Sequence, residues 1–217
     1  MAAAGKSNKS YERNRDESAA MFSNADLKRL IFPLVIEQAL ALTVGMADVM
    51  MVSYAGEAAV SGVSLVDMIN VLLINIFAAL ATGGAVVTAQ YLGARNRKKA
   101  CESADQLMVV TIVISIFIMG LTLVFQRPLL RLFFGAIEDD VMSACITYLW
   151  ISALSYPFLA VYNSCAALFR AMGNSKVSML VSLAMNVINV AGNAFFIFTF
   201  QMGVAGVATA SPISRVA

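Results

Sequence analysis

The stretch VSMLVSLAMNVINVAGNAFFIFTFQMGVAGVATASPIS, residues 177–214, runs for 38 positions without an Asp, Glu, Lys or Arg. As one helix rising 1.5 Å per residue it would be about 57 Å long, nearly twice the roughly 30 Å hydrocarbon thickness of a bilayer. It must therefore turn back, and Gln201-Met202-Gly203 is the expected hinge, with one pass over 178–200 and another opening at Val204. The same reasoning extends outward. No Lys or Arg lies between Leu30 and Ala94, again too long for one pass, and the turn residues Tyr54 to Glu57 and Ser61-Gly62 divide that stretch into spans at 30–53 and 62–88. Two further spans follow at 105–126 and 141–165. The fold expected is an all-α membrane protein of five complete spans and the beginning of a sixth over residues 26–217, the last of its six helices, 204–217, being incomplete. Residues 1–25 carry little to bury and read as a polar tail.

Composition agrees with that reading. Apolar residues make up 60% of the 217 and charged residues 13%, against roughly 45–50% and about 25% in soluble domains. The mean hydropathy is +0.79. No histidine is present, which excludes His-dependent triads, imidazole metal sites and histidine relays within this chain. Cys101, Cys145 and Cys165 have no C-x-x-C spacing and read as buried small side chains. A formal charge of +2 gives no reason to expect nucleic acid.

Basic residues set the expected orientation, because they are retained on the cytoplasmic side. Lys6, Lys9, Arg13, Arg15, Lys28 and Arg29 precede the first span, Arg95, Arg97, Lys98 and Lys99 follow the second, and Arg170 and Lys176 follow the fourth. The alternate connections hold only Arg127 and Arg131, beside Glu138-Asp139-Asp140. The amino terminus is expected in the cytoplasm of a multi-pass protein of the plasma membrane.

An Asp near the bilayer centre costs about 2.5–3.5 kcal/mol on insertion scales, so polar residues within spans are informative. Glu37 and Asp48 lie eleven residues apart in the first span, about three turns, and point to nearly the same side, with Ala41 and Gly45 on the stripe between them. Gln38 adjoins it. Ser182, Asn186, Asn189 and Asn193 form one face of the fifth span. The second span contributes Asp67, Asn70 and Asn75, and the fourth Tyr148, Ser152, Tyr156 and Asn163. Serines and amides serve equally well as interhelical glue. Asp48 is different, since a carboxylate there needs a proton, a cation or lining water. Glu37, nearer the inner mouth, is accommodated either by hydration or by a cavity, and Asp67 is expected at the solvated outer mouth. Met46, Met50 and Met51 could form an adaptable wall or plain packing. Pro157 and Pro212 are expected to kink their helices.

These features, in order, resemble the multidrug and toxic compound extrusion family, the MATE transporters. The carrying stretches are Pro33 to Asp48 with Met50-Met51-Val52, then Gly83-Gly84-Ala85-Val86-Val87-Thr88-Ala89-Gln90-Tyr91-Leu92-Gly93. Leu168-Phe169-Arg170-Ala171-Met172-Gly173-Asn174-Ser175-Lys176, the Asn189 to Asn193 segment and Gly203-Val204-Ala205-Gly206 complete them. The resemblance covers about residues 27–215. It implies the first half of a twelve-helix, two-lobed transporter that exports organic cations in exchange for Na+ or H+ by alternating access. It further implies that Asp48 is the coupling-ion or proton site, and a possible Na+ ligand. Asn189 and Asn193 match a fifth-span Asn-x-x-x-Asp pair whose carboxylate is absent here, and Ser211 matches a sixth-span threonine, followed by Pro212 where an aliphatic residue is usual.

The function expected is thus multidrug efflux of a lipophilic organic cation, with no enzyme activity and no cofactor beyond the coupling ion. Apolar and aromatic walls plus a carboxylate would hold such a substrate. Glu37, Gln38, Met46, Tyr156, Asn163 and Asn186 are the candidates for lining its cavity. The partners expected are the lipid bilayer, the substrate, and either a carboxy-terminal six-helix lobe or a second copy of this one. A transport-incompetent fragment or packing module stays open as an alternative, and so, more remotely, does a membrane-embedded enzyme or lipid-handling protein.

Overall fold

The computed structural model describes residues 24–198 and 203–216. Among them are eight α-helices and no strand: α1 (Asn24–Val52), α2 (Glu57–Gly93), α3 (Arg97–Val124), α4 (Gln126–Phe134), α5 (Asp139–Leu154), α6 (Tyr156–Ala171), α7 (Ser175–Phe198) and α8 (Gly203–Val216). A single 3-10 turn, Ser53–Ala55, links α1 to α2. The hinge expected at Gln201-Met202 and all but the last two residues of the polar tail lie outside the described residues; Asn24 and Ala25 already belong to α1.

Local chemistry sets the helix ends. The Asn96 side chain caps α3 by accepting a hydrogen bond from the Lys99 amide at 3.2 Å. Gly173, at φ +78°, reverses the chain after α6, so that the amides of Met172, Gly173 and Asn174 satisfy the carbonyls of Leu168, Arg170 and Phe169. Helices α1, α2, α3 and α7 are each long and apolar enough to cross a membrane, and α5 and α6, which meet at a bend of 50°, are so when taken together. The bend falls at Ser155, two residues before Pro157, whose missing N–H leaves the Ala153 carbonyl without its helical donor. The Ser155 hydroxyl bonds to the Ser152 carbonyl at 2.7 Å across the break. Helix α4 is an addition to the sequence reading, which took 127–140 as a plain connection; it is a short amphipathic helix pinned to the bundle by fully buried Leu130.

Helix α2 occupies the centre, packed against α3, α5 and α6. Helix α1 lies chiefly on α7, α7 on α8, and α8 returns to α5. One core cluster joins Val63, Val66, Ile69, Cys145, Tyr148 and Leu149, and a second joins Phe77, Ala153, Tyr156 and Leu159. Of the three cysteines, expected to be buried, Cys145 is buried but Cys101 is exposed at the start of α3, where the helix meets the connection. Gly62 lets α2 approach α5 closely: a Cβ there would lie 2.7 Å from Cβ of Ala144 and 3.1 Å from the Cys145 amide nitrogen. Neither neighbour is a flexible side chain, so Gly62→Ala is expected to force the two helices apart and destabilise the bundle by about 1–3 kcal/mol, the usual range for overpacking. Thermal unfolding in detergent measures this, and an unchanged midpoint would contradict the close approach.

Candidate functional site

Three polar clusters cross between helices inside the apolar bundle. In the first, α1 contributes Asp48, α7 contributes Asn189 and Asn193, and α8 contributes Ser211. The Asn193 amide Nδ2 donates to Asp48 Oδ1 at 2.6 Å and to Asn189 Oδ1 at 3.2 Å. Asn189 Nδ2 in turn donates to Ser211 Oγ at 3.2 Å. Asn193 and Asn189 are buried, and Oδ1 of Asn193 is sealed from solvent with no hydrogen-bond partner. The spacing Asn-x-x-x-Asn places both amides on one face of α7. Gly192 next to them lets α8 approach, a Cβ there reaching 3.2 Å from Cβ of Ala210, one residue before Ser211. The four residues named from the sequence as coupling candidates therefore form one continuous hydrogen-bonded chain. Its donor set is one carboxylate and three neutral oxygens, suited to a hard monovalent cation or to a proton shared with the amides.

A second cluster surrounds Glu37. Its carboxylate pairs with Arg170 of α6 at 3.5 Å and accepts from Tyr162 OH at 3.2 Å and from Ser178 Oγ of α7 at 3.1 Å. Arg170 also donates to Ser178 Oγ at 3.3 Å. Glu37 is buried and fully engaged, so the structure puts it in a tie between α1, α6 and α7.

The third cluster corrects the expectation for Asp67. Instead of opening to the solvated mouth it is half-buried, accepting from Tyr148 OH at 3.0 Å and from Asn70 Nδ2 at 3.3 Å, because α5 packs directly over this part of α2. Tyr156 OH extends the network to Asn70 Oδ1 at 3.0 Å. Arg215 of α8 donates to Ser155 Oγ at the bend and is near enough to interact with the charge of Asp67.

The six residues proposed as cavity lining are dispersed. Glu37 belongs to the second cluster, while Gln38 and Met46 are exposed on α1. Tyr156 is buried within the second core cluster, and Asn163 is buried with its amide bonded to the Leu159 carbonyl at 3.1 Å. Asn186 is half-buried with an unpartnered Nδ2 one turn before Asn189. Arg170, Tyr162 and Ser178 are the residues the sequence reading did not single out; the available signal was an arginine at a span end within reach of an intramembrane acid.

A bundle of apolar helices with its carboxylates tied to amides and hydroxyls between spans defines a helical membrane protein, not a soluble enzyme. The MatE family model matches residues 33–195, and the chain belongs to the MatE family, whose members are transporters. It is similar to YisQ, an uncharacterized transporter of Bacillus subtilis, at 32% identity over 93% of this chain and 43% of that protein. It is also similar to the multidrug export protein MepA of Staphylococcus aureus, at 24% identity over 85% of this chain and 41% of MepA. Among solved structures, a MOP superfamily transporter from Pyrococcus furiosus superposes with a TM-score of 0.82 at 24% identity, covering 88% of this chain and 42% of that one. A multidrug resistance MATE family transporter in an outward-facing conformation gives a TM-score of 0.82 at 22% identity over the same shares. The chain thus spans less than half the length of these relatives, and it has the fold of one lobe.

Proposed function

We propose that this chain is the amino-terminal lobe of a multidrug efflux antiporter of the plasma membrane, exporting lipophilic organic cations in exchange for Na+ or H+ by alternating access. The observation that carries the reading is the chain from Asp48 through Asn193 and Asn189 to Ser211, with a buried amide oxygen left unpaired beside the only carboxylate of the group. In an apolar interior an unpaired acceptor is costly. A cation or a protonated carboxyl group supplies what that oxygen lacks. Asp48 would hold the ion, while Asn193, Asn189 and Ser211 would contribute neutral oxygens. Loading from one face and release to the other couples ion flow to substrate only if the two orientations bind the ion with different affinity. A second six-helix lobe completes the cavity, either carboxy-terminal in the same polypeptide or a second copy of this one, and the amino terminus stays in the cytoplasm.

The test is efflux of a lipophilic cationic dye from vesicles carrying the complete two-lobed protein under an imposed H+ or Na+ gradient. Efflux is expected to stop when the driving gradient is dissipated and to resume when it is restored. Efflux that continues undiminished with both gradients collapsed would eliminate ion coupling.

A further inference from the structure

Arg127 and Arg131 are the two basic residues that break the charge pattern of the chain, standing at the end of the bundle opposite Arg95 to Lys99. They lie one turn apart on α4 and line a cavity of about 370 Å³ together with Ile137, Asp139, Met142, Ser143, Ile146 and Thr147. Among the described residues neither guanidinium has a hydrogen-bond or ion-pair partner within the chain, the Ser143 hydroxyl has none either, and all three side chains are exposed at the mouth of the cavity. We propose that this cavity seats the headgroup of a phosphatidylethanolamine-type phospholipid, its phosphate between Arg127 and Arg131 and its ammonium against Asp139.

Depth supports a lipid. Helix α3 has 28 residues, about 42 Å of length, so a chain that enters at Arg97 emerges past the roughly 30 Å hydrocarbon layer by Val124 and lays α4 at headgroup level. Leu130 holds α4 to the core while Leu132 and Phe133 remain 82% and 51% exposed, as acyl chains beside the headgroup require. Chemistry supports a zwitterion over a plain anion. Two guanidiniums lining one cavity are suited to a phosphate, with the Ser143 hydroxyl as a further donor. The Asp139 carboxylate lining the same cavity would repel a simple anion but accept from a primary ammonium.

The protein, extracted from membranes in mild detergent, is titrated with phosphatidylethanolamine, phosphatidylglycerol and inorganic phosphate, and bound lipid is read by native mass spectrometry. Wild type is expected to retain one phosphatidylethanolamine in preference to phosphatidylglycerol. Arg127→Gln and Arg131→Gln should each weaken that retention about tenfold, the loss of one charge-assisted hydrogen bond. Asp139→Asn should remove the preference for ethanolamine over glycerol headgroups, a ratio that does not depend on the overall yield of folded protein. Equal retention by Arg127→Gln/Arg131→Gln and wild type would overturn the proposal. So would displacement of the lipid by inorganic phosphate, which would mark a simple anion site, or equal retention of the two lipids by wild type.

Discussion

Asp48→Asn is expected to reduce gradient-driven efflux by the complete transporter to the level seen with the gradient dissipated, while helix content and thermal midpoint stay near wild type. The two halves of this expectation have different causes. Asn193 donates to Asp48 Oδ1, and an asparagine carbonyl at position 48 can accept the same hydrogen bond, so the link between α1 and α7 survives the substitution. Only the charge is lost. At about 4 Å and an effective dielectric near 20, one unit charge attracts a monovalent cation by about 4 kcal/mol, roughly a thousandfold in affinity. An ion bound a thousandfold more weakly no longer biases the equilibrium between two orientations of the lobe. Asp48→Glu retains the charge but displaces it by one methylene from Asn193 and should keep part of the activity. Efflux rates in vesicles, paired with thermal unfolding in detergent, measure both halves. Full efflux by Asp48→Asn would assign Asp48 to packing, and a collapsed midpoint would show that its charge is structural.

The sequence carried much of this architecture because membrane helices are constrained by length and polarity more than by packing detail. The described parts of the long gaps between charges lie in helices, since a helix satisfies its own backbone within a bilayer. Helix ends were less legible. Helix α2 extends to Glu57–Gly93, five residues past the expected span at each end, because ends beyond the hydrocarbon are set by caps and turns instead of hydropathy. The fourth span is two helices, and Pro157 foretold the bend. Helix α4 went unread because its nine residues are far too few to span and its amphipathic pattern belongs to the membrane surface. In the site, i, i+4 spacing brought Asn189 and Asn193 together on paper, and the family resemblance added Asp48 and Ser211 from other helices. What one-dimensional pattern could not supply was partnership across helices. Glu37 and Asp48 share a stripe of α1, yet Glu37 meets an arginine while Asp48 meets an amide, because different parts of α7 and α6 pack beside them. Asp67 likewise gave no sign in the sequence that Tyr148 would cover it.

Helix α1 rests mainly on α7 and is tied at two places about 16 Å apart along its axis, through Asp48 to Asn193 and through Glu37 to Ser178, Tyr162 and Arg170. The second tie predicts the largest effect on stability. Arg170→Met should destabilise the bundle by about 2–3 kcal/mol, because it leaves the buried Glu37 carboxylate with two hydroxyl donors and no counter-charge. Removing one member of a fully buried pair costs roughly 3–5 kcal/mol; the lower figure here reflects an Arg170 side chain that is 29% exposed and a separation of 3.5 Å. For a domain of this size the loss corresponds to a fall in midpoint of about 5–10 °C. Glu37→Gln in the Arg170→Met background should recover most of that fall, since no charge is stranded and the amide keeps both hydroxyls as partners, its oxygen accepting from one and its NH2 donating to the other. The thermal midpoints of the two single variants and the double variant form a cycle that isolates the pair. A cost that is additive across the cycle would mean that the Arg170 charge adds nothing to holding Glu37, and the tie at that end of α1 would then rest on the Tyr162 and Ser178 hydroxyls alone.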